Sequence, residues 1–360
     1  MATTTAVQTI TEQVYSLRLG QKERKPEVPD KVPEGVAYPL YYPVFNNDEK
    51  FPPTPYFEHT DVGHRADKAK PNLLKGATTT DLSPYLGTEI TGVQLSQLTN
   101  EGLDELALLT AERKVLVFRD QDFKDIGVEK QIAIAKHFGP IQLHPTSGNV
   151  KNYPEFHIVY RDPQEDRFAE YRGNSVSHLG WHSDVSYEKQ PPGTTFFFML
   201  QQPDVPGSGD TIFVSQVEAY NRLSDEFKKR LTGLRAVHSA VRQAEFSEKR
   251  GGPVRREPVE TEHPLVREHP VTGEKALYVN DQFVRHIVGY KKEESDYLLK
   301  FLFDHISKGA DFQVRATYRP GTVVVWDNRV TVHTATSDFE NKFRRHAARL
   351  TPQAEKPIPA

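Results

Sequence analysis

The chain has 360 residues, 37% apolar and 26% charged, with 46 Lys and Arg against 49 Asp and Glu for a net charge of −3, and no Cys. The missing thiols exclude a disulfide framework, cysteine-ligated zinc or iron–sulfur centres and a thiol nucleophile, so any metal must be held by nitrogen and oxygen. Near-neutral charge, no apolar run approaching ~18 residues and an opening MATTTAVQTI without basic or apolar signal regions point to a cytoplasmic protein with no nucleic-acid or membrane partner.

Residues 1–76 read as an extended, proline-rich N-terminal arm. Prolines recur from Pro26 to Pro71, and each fixes φ and removes a backbone donor. The aromatic stretch YPLYYPVF is suited to packing over the core or over a second subunit, which allows for a homo-oligomer. The main body is expected over 77–352. GTEITGVQLSQL reads as a short strand and turn, and NEGLDELALLTAERK has near-helical apolar spacing. KVLVFRDQ is an apolar strand, and VEKQIAIAKHFG is a helix closed by Gly139. Later come short apolar runs separated by Pro and Gly: TTFFFML, TIFVS, KALYVND and GTVVVWD. Helices are expected near 218–233 and 293–308. Many short strands with turn signals favour a sandwich or barrel. Residues 353–360 read as a frayed C-terminal tail.

Among 14 histidines, spacing decides which carry chemistry. In Trp181-His182-Ser183-Asp184, residues i and i+2 of a strand would aim an imidazole and a carboxylate at one point. Alone this pattern is weak, and its structural reading is a His–Asp hydrogen bond. His333 follows the apolar strand GTVVVWDNRVTV. Two His and one carboxylate suit non-haem iron(II), and zinc would accept the same ligands. Arg345, Ala347 and Arg349 share one face of a last strand, FRRHAARLTP. Two inward guanidiniums each require an anion. The two tryptophans beside the ligands, Trp181 and Trp326, read as core packing.

Taken together, WHSDVSYEKQPPGTTFFFML, PGSGDTIFVSQVEAYNRLS, WDNRVTVH and RRHAARLTP resemble the taurine dioxygenase family of iron(II)- and 2-oxoglutarate-dependent oxygenases. FRDQ at 118–121, HFGPIQLHP at 137–145 and HPVTGEKALYVN at 269–280 fit as well, and the likeness is closer to the fungal sulfonate dioxygenase branch. The resemblance implies a mainly β fold with flanking helices, a double-stranded β-helix (a cupin-like jelly roll). It implies that His182, Asp184 and His333 ligate Fe(2+), and that Arg345 and Thr211 bind 2-oxoglutarate, with O2 as the other co-substrate. Arg349, His144, His178 and Phe283 would face the prime substrate. The loop from His333 to the first arginine is one residue shorter than in the family, so Arg345 rather than Arg344 rests on the Arg-x-x-x-Arg spacing. His178 stands where the taurine enzymes have Asn, and Ser147 where they have Tyr. Both changes fall where the amine of taurine would sit.

The expected activity is oxidation of a C–H bond in a small anion, an alkyl sulfonate or sulfate ester, with release of sulfite or sulfate. An amino acid or other small carboxylate, undergoing hydroxylation, desaturation or cyclisation, is the alternative. A non-catalytic jelly-roll metal-binding module is the reading from another class.

Overall fold

The computed structural model describes residues 24–162, 180–203, 205, 207–336, 338 and 343–360. Its strands are short, as the punctuated apolar runs require. The first are β1 (Thr78–Asp81), β2 (Thr88–Thr91), β3 (Val115–Phe118), β4 (Gly148–Val150), β5 (Tyr153–Arg161), β6 (Thr194–Gln201) and β7 (Thr211–Ser215). Then come β8 (Arg235–Ser239), β9 (Glu260–Pro264), β10 (Val266–Glu268), β11 (Lys275–Leu277) and β12 (Val284–Ile287). The last are β13 (Gln313–Ala316), β14 (Val323–Asp327), β15 (Thr331–Ala335), β16 (Arg345–Leu350) and β17 (Ile358–Pro359).

An eight-stranded sheet has the order β1-β2-β3-β14-β6-β16-β5-β4, and a three-stranded sheet, β13-β7-β15, packs against it. In the central strands β3 and β14 every residue is buried. That is why VLVF and VVVWD lack polar alternation: both faces of the sheet are covered. One face carries Leu116, Phe118, Phe196, Phe198, Val323 and Val325, packed with the helical residues Leu106, Leu109 and Ile132. The opposite face carries Val115, Val117, Phe197, Met199, Val324 and Trp326, packed on Phe213 of β7 and Val314 of β13. Ala347 of β16 lies on this second face, so by strand alternation Arg345 and Arg349 do too.

The expected double-stranded β-helix is corrected here. The fold mixes β-sheet and helix, and no barrel or jelly-roll closure is seen among the described residues. The eight-stranded and β13-β7-β15 sheets share no strand among the described residues. His333 pairs within its own sheet, opposite Phe213 of β7, and the segment bearing His182 joins that sheet by an isolated bridge between His182 and His333. Side-chain packing, not a continuous ladder, holds the sheets together. Period-two patterning fixes which face of a strand is buried but says nothing about which edges meet.

Among the described residues the α-helices are α1 (Pro71–Leu74), α2 (Asn100–Arg113), α3 (Val128–Lys136), α4 (Gln216–Asn221), α5 (Asp225–Leu231), α6 (Val241–Lys249) and α7 (Lys292–Ser307). The helix expected over 218–233 is two, because Ser224 caps the second by accepting from the Phe227 N–H at 3.3 Å. Gly139, three residues past α3, has φ +148° and lies against the Gln353 carbonyl. A Cβ there would sit 2.2 Å from that oxygen, so the turn admits glycine alone. No described helix is long and apolar enough to cross a membrane.

The arm contributes to the core. Tyr41 is buried against Phe156 and Phe198, and its hydroxyl donates to Gln131 Oε1 at 2.8 Å. His346 of β16 donates from Nε2 to the Tyr41 carbonyl at 2.9 Å. At the other end, Ile358–Pro359 pairs with β10 instead of fraying.

Burial pushes His346 and His263 down to about 4. A histidine whose folded pKa is depressed binds its proton in the unfolded chain first, so stability is lost as pH falls from 6.5 toward 4. Between pH 7 and 5 each is expected to remove about 2 kcal/mol. Urea unfolding midpoints at the two pH values test this, and His346→Gln should flatten the dependence by about that amount.

Candidate functional site

His182 and His333 are brought together by backbone. The His182 N–H donates to the His333 carbonyl at 3.0 Å, and the His333 N–H donates to that of His182 at 2.8 Å. Their rings stand 4.2 Å apart. The strand expected to align His182 with Asp184 does not form: after the single bridge at His182 the chain enters a turn at Asp184. The next residue, Val185, is buried at φ +38°. That conformation costs a β-branched residue roughly 1–3 kcal/mol, and it turns the chain directly after the carboxylate. Asp184 Oδ1 lies 3.8 Å from Nε2 of both His182 and His333. The three ligand atoms fall within 4.8 Å of one another.

The donor chemistry fits a divalent first-row ion. The Nδ1–H of His182 donates to the Gly180 carbonyl at 3.2 Å, which leaves the Nε2 lone pair toward Asp184. Burial keeps both imidazoles neutral by lowering their pKa, His333 the further. Burial opposes ionisation of Asp184, but the Arg349 guanidinium and the Thr195 hydroxyl hold it below the usual carboxylate range. Thr195 Oγ1 donates to Asp184 Oδ2 at 2.8 Å. Asn328 fixes the turn: its Oδ1 accepts from the Asp184 N–H and Trp326 Nε1, both at 3.0 Å, and its Nδ2 donates to Thr195 Oγ1 at 2.8 Å.

The arginines occupy different surroundings. Arg349 donates from Nη1 to Asp184 Oδ1 at 2.6 Å and from Nη2 to His157 Nδ1 at 2.9 Å. Arg345 is buried, with its guanidinium 5.6 Å from the Phe197 ring and 5.8 Å from that of Tyr318. It donates to the Gly209 carbonyl at 3.0 and 3.1 Å. Among the described residues no carboxylate lies within ion-pair distance of it, and Asp210 and Asp338 act on its charge only from further away. Thr211 is joined to the same group, its Oγ1 lying 2.9 Å from the Tyr318 hydroxyl. Arg345, Thr211 and Tyr318 thus form one contiguous group, four residues along β16 from Arg349.

His144 is buried, with its ring 4.4 Å from that of His157. Phe283 packs edge-on 6.1 Å from His182. His178 lies outside the described residues. Trp326 packs 4.9 Å from His333, and Trp181 sits in the core on the other side, where it and Val332 line a separate cavity of about 380 Å³. Sequence reasoning missed His157, Tyr318, Thr195 and Asn328. Only the alternation of PEFHIVYR, which sets His157 opposite the apolar Phe156 and Ile158, carried a signal. The β5–β16 register, pairing His157 with Arg349, places it in the site.

Residues 78–351 match the family model described as "Taurine catabolism dioxygenase TauD, TfdA family". The chain is 50% identical over 331 residues to the alpha-ketoglutarate-dependent dioxygenase cnsM of Penicillium expansum, covering 91% of this chain and 92% of that one. It is 44% identical over 330 residues to the alpha-ketoglutarate-dependent sulfonate dioxygenase of Saccharomyces cerevisiae, covering 90% of this chain and 80% of that one. The crystal structure of a taurine dioxygenase from Burkholderia xenovorans superposes with a TM-score of 0.63 at 29% identity, over 79% of this chain and 91% of that one.

Proposed function

Because the chain belongs to the taurine catabolism dioxygenase TauD, TfdA family and is an iron(II)- and 2-oxoglutarate-dependent dioxygenase, we propose that it oxidises the carbon bearing the acid group of an alkyl sulfonate or sulfate ester. The single observation that carries the reading is the pairing of two guanidiniums on one strand face, one beside the His182–Asp184–His333 cluster and one remote from it. The name of the Saccharomyces cerevisiae relative supports the sulfonate class.

When bound, the iron and 2-oxoglutarate supply oxidative decarboxylation of the keto acid by O2, coupled to oxidation of a substrate C–H bond. The rest is positioning by the chain. His182, Asp184 and His333 hold the metal, with Thr195 and Asn328 orienting the carboxylate. Arg345 takes the far carboxylate of 2-oxoglutarate as a planar fork, with the Thr211 and Tyr318 hydroxyls beside it. Arg349 and His144 anchor the substrate anion, and Phe283 walls the pocket. The anchors decide which C–H faces the metal. A hydroxyl placed on the carbon next to sulfur gives an unstable hydroxysulfonate, which breaks its C–S bond to leave an aldehyde and sulfite. The catalytic unit is residues 77–352, and a reducing cytoplasmic setting suits iron(II) and 2-oxoglutarate.

The test is succinate and sulfite formation across a panel of alkyl sulfonates, sulfate esters, amino acids and small carboxylates, with iron(II) and ascorbate present. Succinate with stoichiometric sulfite or sulfate is expected. Succinate formed only with an amino acid or carboxylate would move the enzyme to that substrate class. Arg345→Ala should raise the KM for 2-oxoglutarate about 10- to 100-fold, the worth of charge-assisted hydrogen bonds, and leave the KM for the prime substrate nearly unchanged. The opposite pattern would exchange the roles of Arg345 and Arg349.

A further inference from the structure

His157 stands on β5 directly across from Arg349 of β16 and accepts at Nδ1 from the guanidinium, from Nη2 at 2.9 Å and from Nε at 3.2 Å. An imidazole that accepts at Nδ1 carries its hydrogen on Nε2. The same holds for His144, whose Nδ1 accepts from the backbone N–H groups of Thr146 at 3.3 Å and Ser147 at 3.1 Å. Burial and the Arg349 charge keep both imidazoles neutral, so neither ring changes this assignment. Their rings are 4.4 Å apart at 69°. Two imidazoles of fixed tautomer, each with its donor on Nε2, therefore lie together, that of His157 in contact with the guanidinium. Three of the five N–H groups of Arg349 are committed to His157 and Asp184, and two remain.

We propose that His157 is a specificity-determining residue, its Nε2–H completing with His144 and Arg349 a three-sided donor set for a pyramidal trioxo anion. The inference rests on the sulfonate or sulfate ester reading above and adds a residue to it. A sulfonate or sulfate presents three oxygens that diverge from sulfur, whereas a carboxylate presents two in one plane. Donors arriving from two strands and from the turn at His144 can each meet a separate oxygen of the former. A carboxylate satisfies the guanidinium and leaves one histidine donor unmatched, and an unmatched buried donor is costly.

The test is calorimetric binding of 1-hexanesulfonate, hexyl sulfate and heptanoate to the full chain loaded with Mn(II) and N-oxalylglycine, an unreactive isostere of 2-oxoglutarate. Wild-type protein, His157→Leu and His157→Gln are compared, with thermal melting of each as a check of folding. His157→Leu should lower the sulfonate-to-heptanoate affinity ratio about three- to tenfold, one neutral hydrogen bond's worth. His157→Gln, which keeps an N–H donor, should restore most of it. Loss of both affinities by the same factor would show that His157 only steadies Arg349, and unchanged affinities would remove it from the site; either overturns the proposal. Wild-type preference for heptanoate would instead sink the sulfonate reading itself, a result visible before any variant is made.

Discussion

Asp184→Asn is expected to leave a folded protein that binds iron(II) weakly and forms no succinate. The carboxylate contributes the one anionic donor among three converging ligand atoms. Groups that merely orient a ligand cost about 10- to 100-fold in metal affinity when removed, so loss of the ligand itself should exceed ~100-fold. The substitution is nearly isosteric and its one oxygen keeps the acceptor for Arg349, while the amide NH2 replaces the oxygen that accepts from Thr195 and can donate to that hydroxyl instead, which separates metal loss from collapse of the turn. Titration with iron(II) under argon, alongside succinate formation, measures it. Wild-type metal affinity in this variant would remove Asp184 from the ligand set, and with it the reading of the site.

Arg329→Met should produce the largest loss of stability, about 3–5 kcal/mol, the scale for stranding buried charges. Arg329 is 2% exposed and donates to Asp327 through Nε and Nη2, and to Asp61 of the arm through Nη1 at 2.6 Å. It also reaches Glu355 of the C-terminal segment at 3.4 Å. His269 closes the group at 2.9 Å from Asp327. Burial opposes ionisation of these carboxylates, but the guanidinium holds Asp327, Asp61 and Glu355 below their usual pKa. Carboxylates depressed in the folded state contribute stability above their unfolded pKa and lose it as pH falls through the folded one. Without Arg329 their folded pKa values rise, so the variant should lie furthest below wild type near neutral pH and approach it in acid. Denaturant unfolding at pH 7 and 4.5 tests the sign. The loop bearing Asn328 lies between Asp327 and Arg329, so the same variant should also loosen metal binding. An equal deficit at both pH values would refute the electrostatic account.

The sequence determined the chemistry by itself. The absence of Cys, the His-x-Asp pair with a distant His333, and two arginines four apart specify a nitrogen- and oxygen-held metal beside anions. Those are choices of functional group, and functional groups are written in residue identity. The continuous apolar runs likewise announced strands. What tertiary structure decided was adjacency. Asp184 reaches the imidazoles by a strained turn at Val185 rather than along a strand. The sheets pack without closing, although the resemblance implied a jelly roll. His157, one His among 14, enters the site only because β5 pairs with β16 in the register that sets it opposite Arg349. Register and edge pairing depend on contacts between segments far apart in the chain, and local patterning fixes a side chain's face but not its neighbour across the sheet.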